Sequence, residues 1–146
     1  MKVPRPLERR RLLAAACAVL WLRPAQATPE ALADALREYT GGAPLREGRV
    51  RLDIAPLVDN GNTVPVSVSV PGVSPEQVQA LALFSERNPR SDVLRVVFGP
   101  RAGERVLTTR MRLATSQQLV AVARLADGGH WAQRVDVVVT LSACLE

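Results

Sequence analysis

Beyond residue 27 this chain has no lysine, one histidine (His130), one cysteine (Cys144) and four aromatic rings, Tyr39, Phe84, Phe98 and Trp131. Each scarcity removes a class of chemistry. No second His or Cys is available to complete a metal site or to activate a thiol as a Cys–His pair does. The acidic residues are scattered, with no spacing that marks a paired-carboxylate site. Gly99 to Gly103 lacks the lysine and the following helix that a phosphate-cradling loop needs. So few aromatics argue against a base-stacking surface. The longest apolar run, Leu12 to Leu22, is eleven residues, short of the roughly 20 that cross a bilayer. The expectation is a chain with no cofactor, no metal, no membrane span and no catalytic site of its own.

That short apolar run belongs to an export signal. Arg9-Arg10-Arg11 precede it, and Ala25-Gln26-Ala27 supplies a small-x-small cleavage site, so residues 1–27 are expected to be removed and the mature chain to begin at Thr28. Arg9-Arg10-Arg11-Leu12-Leu13 is also similar to the twin-arginine export pattern, with Leu12 where that pattern prefers Phe. Cys17 falls inside the signal, and Ala14-Ala15-Ala16-Cys17 makes a poor lipoprotein box; we read it as part of the apolar core. The expected location is the periplasm. Removing the signal also changes the charge. Of 19 basic and 14 acidic residues, six and one lie in positions 1–27, which leaves 13 against 13. The high overall pI is a property of the signal, and no nucleic-acid partner is expected. Every cation of the mature chain is an arginine, a residue suited to interfaces and oxyanion recognition, although compositional bias would produce the same pattern.

Residues 28–146 suffice for one domain with a single core. Pro29 to Tyr39 reads as a helix, with Thr28 as N-cap, Leu32, Ala35, Leu36 and Tyr39 on one face, and Gly41-Gly42 as the stop. It could act as a lid or as a docking helix. From residue 49 onward the pattern is β. Val50, Leu52 and Ile54 alternate with polar residues, as do Val64, Val66, Val68 and Val70. Further strands are expected over 79–85, 93–98, 104–113, 118–126 and 131–141, separated by turn signals such as Asp59-Asn60-Gly61-Asn62 and Asp127-Gly128-Gly129. Pro65 lacks a ladder donor, which predicts an edge strand or a free side at that position. Fold class follows: an all-β, immunoglobulin-like sandwich of about seven strands at 49–141, preceded by a helix and linker at 28–48 and followed by a tail at 142–146.

Cys144 is the third residue from the end, on that tail, where it can contribute little to packing. An exported domain rarely keeps one unpaired thiol. Four residues beyond Thr140 could extend about 13 Å at roughly 3.3 Å each, enough to present the thiol to another protein. Glu146 and the terminal carboxylate favour the neutral thiol over the thiolate, so reactivity must come from a partner. His130, next to the Asp127-Gly128-Gly129 turn, reads as a solvated loop residue. Arg90 and Arg101 stand beside loop prolines and could serve docking or be ordinary solvated turns.

Three blocks and the terminal cysteine carry a resemblance. Pro56-Leu57-Val58-Asp59-Asn60-Gly61-Asn62-Thr63-Val64-Pro65-Val66, Phe84-Ser85-Glu86-Arg87-Asn88-Pro89-Arg90 and Arg112-Leu113-Ala114-Thr115-Ser116-Gln117, followed by Cys144, resemble the SoxY family over nearly the whole mature chain. The resemblance implies a sulfur-carrier subunit of the bacterial thiosulfate-oxidising system, built as an immunoglobulin-like sandwich and paired with a SoxZ-like subunit. It implies that Cys144 is loaded with thiosulfate by a haem-containing enzyme, relieved of sulfate by a hydrolase, and served by a sulfane-oxidising enzyme. One departure stands out. The family's cysteine usually lies between paired glycines, whereas this tail reads Ser142-Ala143-Cys144-Leu145-Glu146, which is stiffer before the thiol and bulkier after it. The alternative is a scaffold subunit in which Cys144 is inert. A thiol enzyme is a third, and it would need an activating residue that the sequence does not show.

Overall fold

The computed structural model describes residues 28–143; the expected export signal at 1–27 and Cys144-Leu145-Glu146 lie outside the described residues. Helix α1 spans Pro29–Thr40 and is closed at both ends as its sequence requires. The Thr28 hydroxyl accepts from the Ala31 amide at 3.3 Å, and Pro29 fills the first turn, where its missing N–H costs nothing. Gly41 sits at φ 62°, the left-handed cap conformation, and Gly42 returns its amide to Arg37 O at 3.0 Å.

Nine strands follow among the described residues: β1 Leu45–Glu47, β2 Arg51–Asp53, β3 Leu57–Val58, β4 Val64–Ser69, β5 Val78–Ser85, β6 Asp92–Val97, β7 Leu107–Met111, β8 Gln117–Leu125 and β9 His130–Val139. The seven expected strands are all present. The larger sheet has the order β1-β9-β8-β5-β6, and β3 also pairs with β9; the smaller has the order β2-β4-β7. The two additional strands, β1 and β3, are three and two residues long and both run parallel to β9. Neither is long enough to show a period-two pattern, so only tertiary pairing reveals them. Between them the chain crosses to the smaller sheet as β2, whose Leu52 amide donates to Gln133 Oε1 on β9 at 2.6 Å. The outer edge of β9 is thus covered in separate short segments, which leaves little unpaired backbone for edge-to-edge association.

The sandwich core lies between the sheets. Leu52, Val64, Val66 and Val68 of the smaller sheet meet Leu81, Leu83, Leu119, Ala121, Val137 and Val139 of the larger one. Strands β5 and β8 are apolar on both faces because the second face of the larger sheet is also covered. Ala82, Phe84, Val120, Val122 and Ala132 pack there against Leu32 and Leu36 of α1. The helix is therefore a structural cover for the sheet. Strand β4 is central, between β2 and β7, so of the two arrangements expected from Pro65 the edge strand is not found and the free side is. Its β2 partner spans only Ser67 to Ser69, so Pro65 is laddered on the β7 side alone, opposite Arg110, and no donor is missed in the middle of a sheet.

At the end of the sandwich where β5 begins, the buried Arg105 guanidinium donates to the carbonyls of Glu76, Val78 and Gly99 at 3.1, 2.6 and 3.2 Å. His130 lies at this same end and is not the solvated loop residue expected. It is 8% exposed, starts β9, and meets the Tyr39 ring edge-to-face at 5.9 Å. The turn before it is as expected, but the helix closes over the imidazole, a contact 91 residues away in sequence that no local pattern shows. Burial first, and the Arg124 guanidinium second, hold the His130 pKa below its ordinary value.

Two outcomes follow from this packing. Leu36→Ala removes a buried contact between α1 and the sheet and should lower the unfolding free energy by about 2–3 kcal/mol, read as a reduced urea midpoint. The depressed His130 pKa means that the unfolded chain binds more protons than the folded one as pH falls below about 6.5. Stability should therefore be full above that value and decline toward pH 5.5. His130→Phe, which keeps the aromatic contact with Tyr39, should flatten the urea midpoint between pH 7.5 and 5.5.

Candidate functional site

The opposite end of the sandwich, where β9 finishes, collects the three blocks singled out in the sequence. The first supplies β3 and the loop after it. The Val138 amide donates to Pro56 O at 2.8 Å and the Thr140 amide to Val58 O at 3.0 Å; the Thr140 hydroxyl donates to Asp59 O, also at 3.0 Å. The Asn60 side-chain carbonyl then accepts from the Asn62 amide at 2.9 Å, an Asx turn that sets the direction of the loop.

Gly61 is the hinge of the arrangement. Its amide donates to Leu141 O at 2.8 Å, and its carbonyl accepts from the Leu113 amide at 2.8 Å. Leu113 O in turn accepts from the Ala143 amide at 3.0 Å. A Cβ at residue 61 would stand 2.5 Å from Leu113 O and 3.1 Å from Ala143 N, so only glycine allows the first block, the third block and the tail to approach this closely. Ala143 is buried, as is Leu113. The tail is thus tied to the body as far as Ala143, which shortens the reach expected from Thr140. Cys144, outside the described residues, is attached one residue beyond the last of these ties.

The second and third blocks are joined by buried polar side chains. Ser85 Oγ donates to Gln117 Oε1 at 2.5 Å and accepts from the Asn88 amide at 3.1 Å. Gln117 Oε1 also accepts from the Arg87 amide at 3.0 Å, while its Nε2 donates to Asn88 Oδ1 and Thr115 O, both at 3.1 Å. Asn88 completes the network by donating to Arg112 O at 2.8 Å and accepting from the Ala114 amide at 3.2 Å. Ser116 Oγ accepts from the Val139 amide at 2.9 Å, fixing the last residue of β9. Every polar group on Ser85 and Gln117 used here is paired, as burial demands.

These keepers were only partly legible in the sequence. Ser85 ends β5 and Gln117 begins β8, positions where a polar residue looks like an ordinary strand end, and nothing local tells that they are buried or which residue pairs with which. The two arginine-bearing loops separate. Asn88-Pro89-Arg90 lies at the tail end and Pro100-Arg101 at the far end with Arg105. His130 is likewise at the far end, so the structure brings no histidine to the tail's root. Among the described residues, no three of His, Cys, Asp and Glu converge as metal ligands.

Comparison with known proteins agrees with the residue blocks. A family model described as SoxY, sulfur oxidation protein SoxY, matches residues 36–144. Among solved structures, the chain is similar to the sulfur carrier protein SoxY from Chlorobium limicola f thiosulfatophilum. That match has 25% identity and a TM-score of 0.66, covering 78% of this chain and 100% of that one. Superoxide reductases share the fold. One from Ignicoccus hospitalis is 23% identical with a TM-score of 0.55, covering 63% of this chain and 80% of that one. Another, from Nanoarchaeum equitans, is 13% identical with a TM-score of 0.53, covering 64% and 100%. No curated protein matches the chain.

Two substitutions test the root of the tail. Gly61→Ala should cost about 1–3 kcal/mol, as overpacking against backbone does, and should speed hydrogen exchange at the Ala143 amide beyond the global loss of stability. Gln117→Ala leaves Ser85 Oγ and Asn88 Oδ1 each short of a partner. Its expected cost is about 1–3 kcal/mol, measured by urea unfolding. The blocks that meet around Gly61 and the family match that spans them lead to one conclusion: the chain belongs to the SoxY family of sulfur oxidation proteins.

Proposed function

We propose that this chain is a periplasmic covalent sulfur carrier of thiosulfate oxidation, with Cys144 as the residue that holds the sulfur. The observation that carries the reading is the convergence at Gly61. Both the Asn-Gly-Asn-Thr loop and the Leu-Ala-Thr-Ser-Gln block close on the segment that ends at Ala143, one residue before the cysteine. A fold that spends three separated blocks on fixing the start of a tail is organised to present what the tail bears. The similar Chlorobium protein is itself a sulfur carrier. Removal of residues 1–27 leaves the N-cap of α1 intact, because the capping hydroxyl belongs to Thr28.

In this reading the chain contributes a nucleophilic sulfur and its placement, and partner enzymes contribute catalysis. Loading joins Cys144 Sγ to the sulfane sulfur of thiosulfate. The thiol proton is released and two electrons pass to a haem-containing loading enzyme, giving a cysteine S-thiosulfonate. Water then cleaves the bond to the sulfonate sulfur at a hydrolase, releasing sulfate and protons and leaving a persulfide on Cys144. A sulfane-oxidising enzyme acts on that persulfide. A SoxZ-like subunit completes a heterodimer. Ala143 and Leu145 in place of glycines make the arm stiffer and bulkier, so the partners of this chain need a wider entrance than a glycine-flanked tail would.

The test is the intact mass of the mature protein recovered from cells grown on thiosulfate, before and after reduction. A reductant-labile adduct on the peptide containing Cys144 is expected, together with loss of thiosulfate turnover in Cys144→Ser. An unmodified mass, or turnover that survives Cys144→Ser, would instead make the chain a scaffold subunit.

A further inference from the structure

Helix α1 touches the sandwich without bonding to it. Among the described residues, every hydrogen bond and ion pair made by residues 28–43 stays within that segment. The caps at Thr28 and Gly41 are its own, so neither end of the helix is closed by a group from the sheet. What holds it is the burial of Leu32 and Leu36 and the ring contacts of Tyr39 with Phe84 and His130. Strand β1, which follows, is by contrast laddered to β9. Between the two stand Gly41 and Gly42, at φ 62° and 83°, with open space where a Cβ would be. Such a pair absorbs a change of backbone angle without a side-chain clash, as a hinge must.

The seat under the helix is imperfect at both ends. Beneath the first half lies a groove of about 400 Å³, between Pro29, Leu32 and Ala33 of the helix and Glu86, Gln118 and Asp136 on the sheet side. Apolar side chains there face polar ones across a gap, and close packing is lost. Under the last turn, the Tyr39 hydroxyl is buried with no hydrogen-bond partner among the described residues. His130 Nδ1, against the Tyr39 ring, and Arg124 Nε, on the residue opposite His130 in β8, are buried and unpartnered as well. Asp92 Oδ1 is a fourth such atom; its carboxylate pairs with Arg95, whose guanidinium lies 5.1 Å over the Tyr39 ring. Burial accordingly raises the Tyr39 phenol pKa above its ordinary value. A hydroxyl that gives up bonds to water and gains none from the protein opposes closure. We propose that α1 is a hinged cover, which swings from the larger sheet about Gly41-Gly42 while the sandwich stays folded and bares the apolar face at Ala82, Phe84, Val120, Val122 and Ala132. Opening breaks no hydrogen bond between α1 and the sheet and returns the Tyr39 hydroxyl to water. Only the apolar area of two leucines and the Tyr39 ring contacts resist it, so the open state lies below global unfolding in free energy.

Thiol labelling reads the opening directly. In the mature chain carrying Cys144→Ser, a single cysteine is introduced as Ala82→Cys or Ala132→Cys under the helix, or as Ala121→Cys or Ala123→Cys in the sandwich core. All four alanines are fully buried. The change of side chain is the same everywhere, and two positions on each side keep the comparison if one variant fails to fold. With dithionitrobenzoate and no urea, the helix-side thiols should react at least about tenfold faster than the core thiols. Their rates should rise gently with urea, because opening exposes little surface, whereas core labelling waits for global unfolding and rises steeply. Tyr39→Phe, which removes the unpartnered hydroxyl and keeps the ring, should slow helix-side labelling by about tenfold. Equal rates on the two sides, one steep urea slope shared by both, or helix-side labelling that Tyr39→Phe leaves unchanged or faster overturns the proposal.

Discussion

Strand β9 is the element on which the other parts of the molecule depend. It is ten residues long and pairs antiparallel with β8 over most of its length, while β1 and β3 join its outer edge in parallel. Its side chains alternate between two different cores. Val137 and Val139 face the smaller sheet, and Ala132 faces helix α1. Such a strand has one register only, because a slip by one residue would move each set to the wrong face. Its end is therefore fixed in space, and the tail that continues it starts from a fixed point.

The two ends of the sandwich are built differently. The far end is closed by Arg105 on three carbonyls and by the tight turn before His130, with the helix terminus packed over the imidazole. The tail end is closed by a network in which backbone groups of one block bond to side chains of another, through Ser85, Asn88 and Gln117. Networks of this kind specify geometry more than they add net stability, since each member exchanges bonds to water for bonds to protein. Precise placement of the last residues before Cys144 is what the network gains.

Gly61 shows why this geometry is restrictive. Three backbone segments meet within hydrogen-bonding distance of it, and an added methyl would overlap a carbonyl oxygen. In a tail with glycines on both sides of the cysteine, reach would come from pliability. Here the chain is held as far as Ala143, whose amide is bonded to Leu113 O.

The sequence by itself determined everything that depends on neighbours along the chain. The cap residues Thr28 and Gly41 bound the helix, period-two alternation marks β2 and β4, and the Asp127-Gly128-Gly129 turn separates β8 from β9. The family blocks were legible for the same reason. What only the tertiary structure decided involves partners far apart in sequence. Three- and two-residue strands added to β9, a central place for β4, a buried His130 under the helix, and the tie of Ala143 to Leu113 all require backbone or ring contacts that no local pattern encodes. A hydrogen bond between two main-chain groups leaves no residue-type signature, except where, as at Gly61, the space it leaves is too small for a side chain.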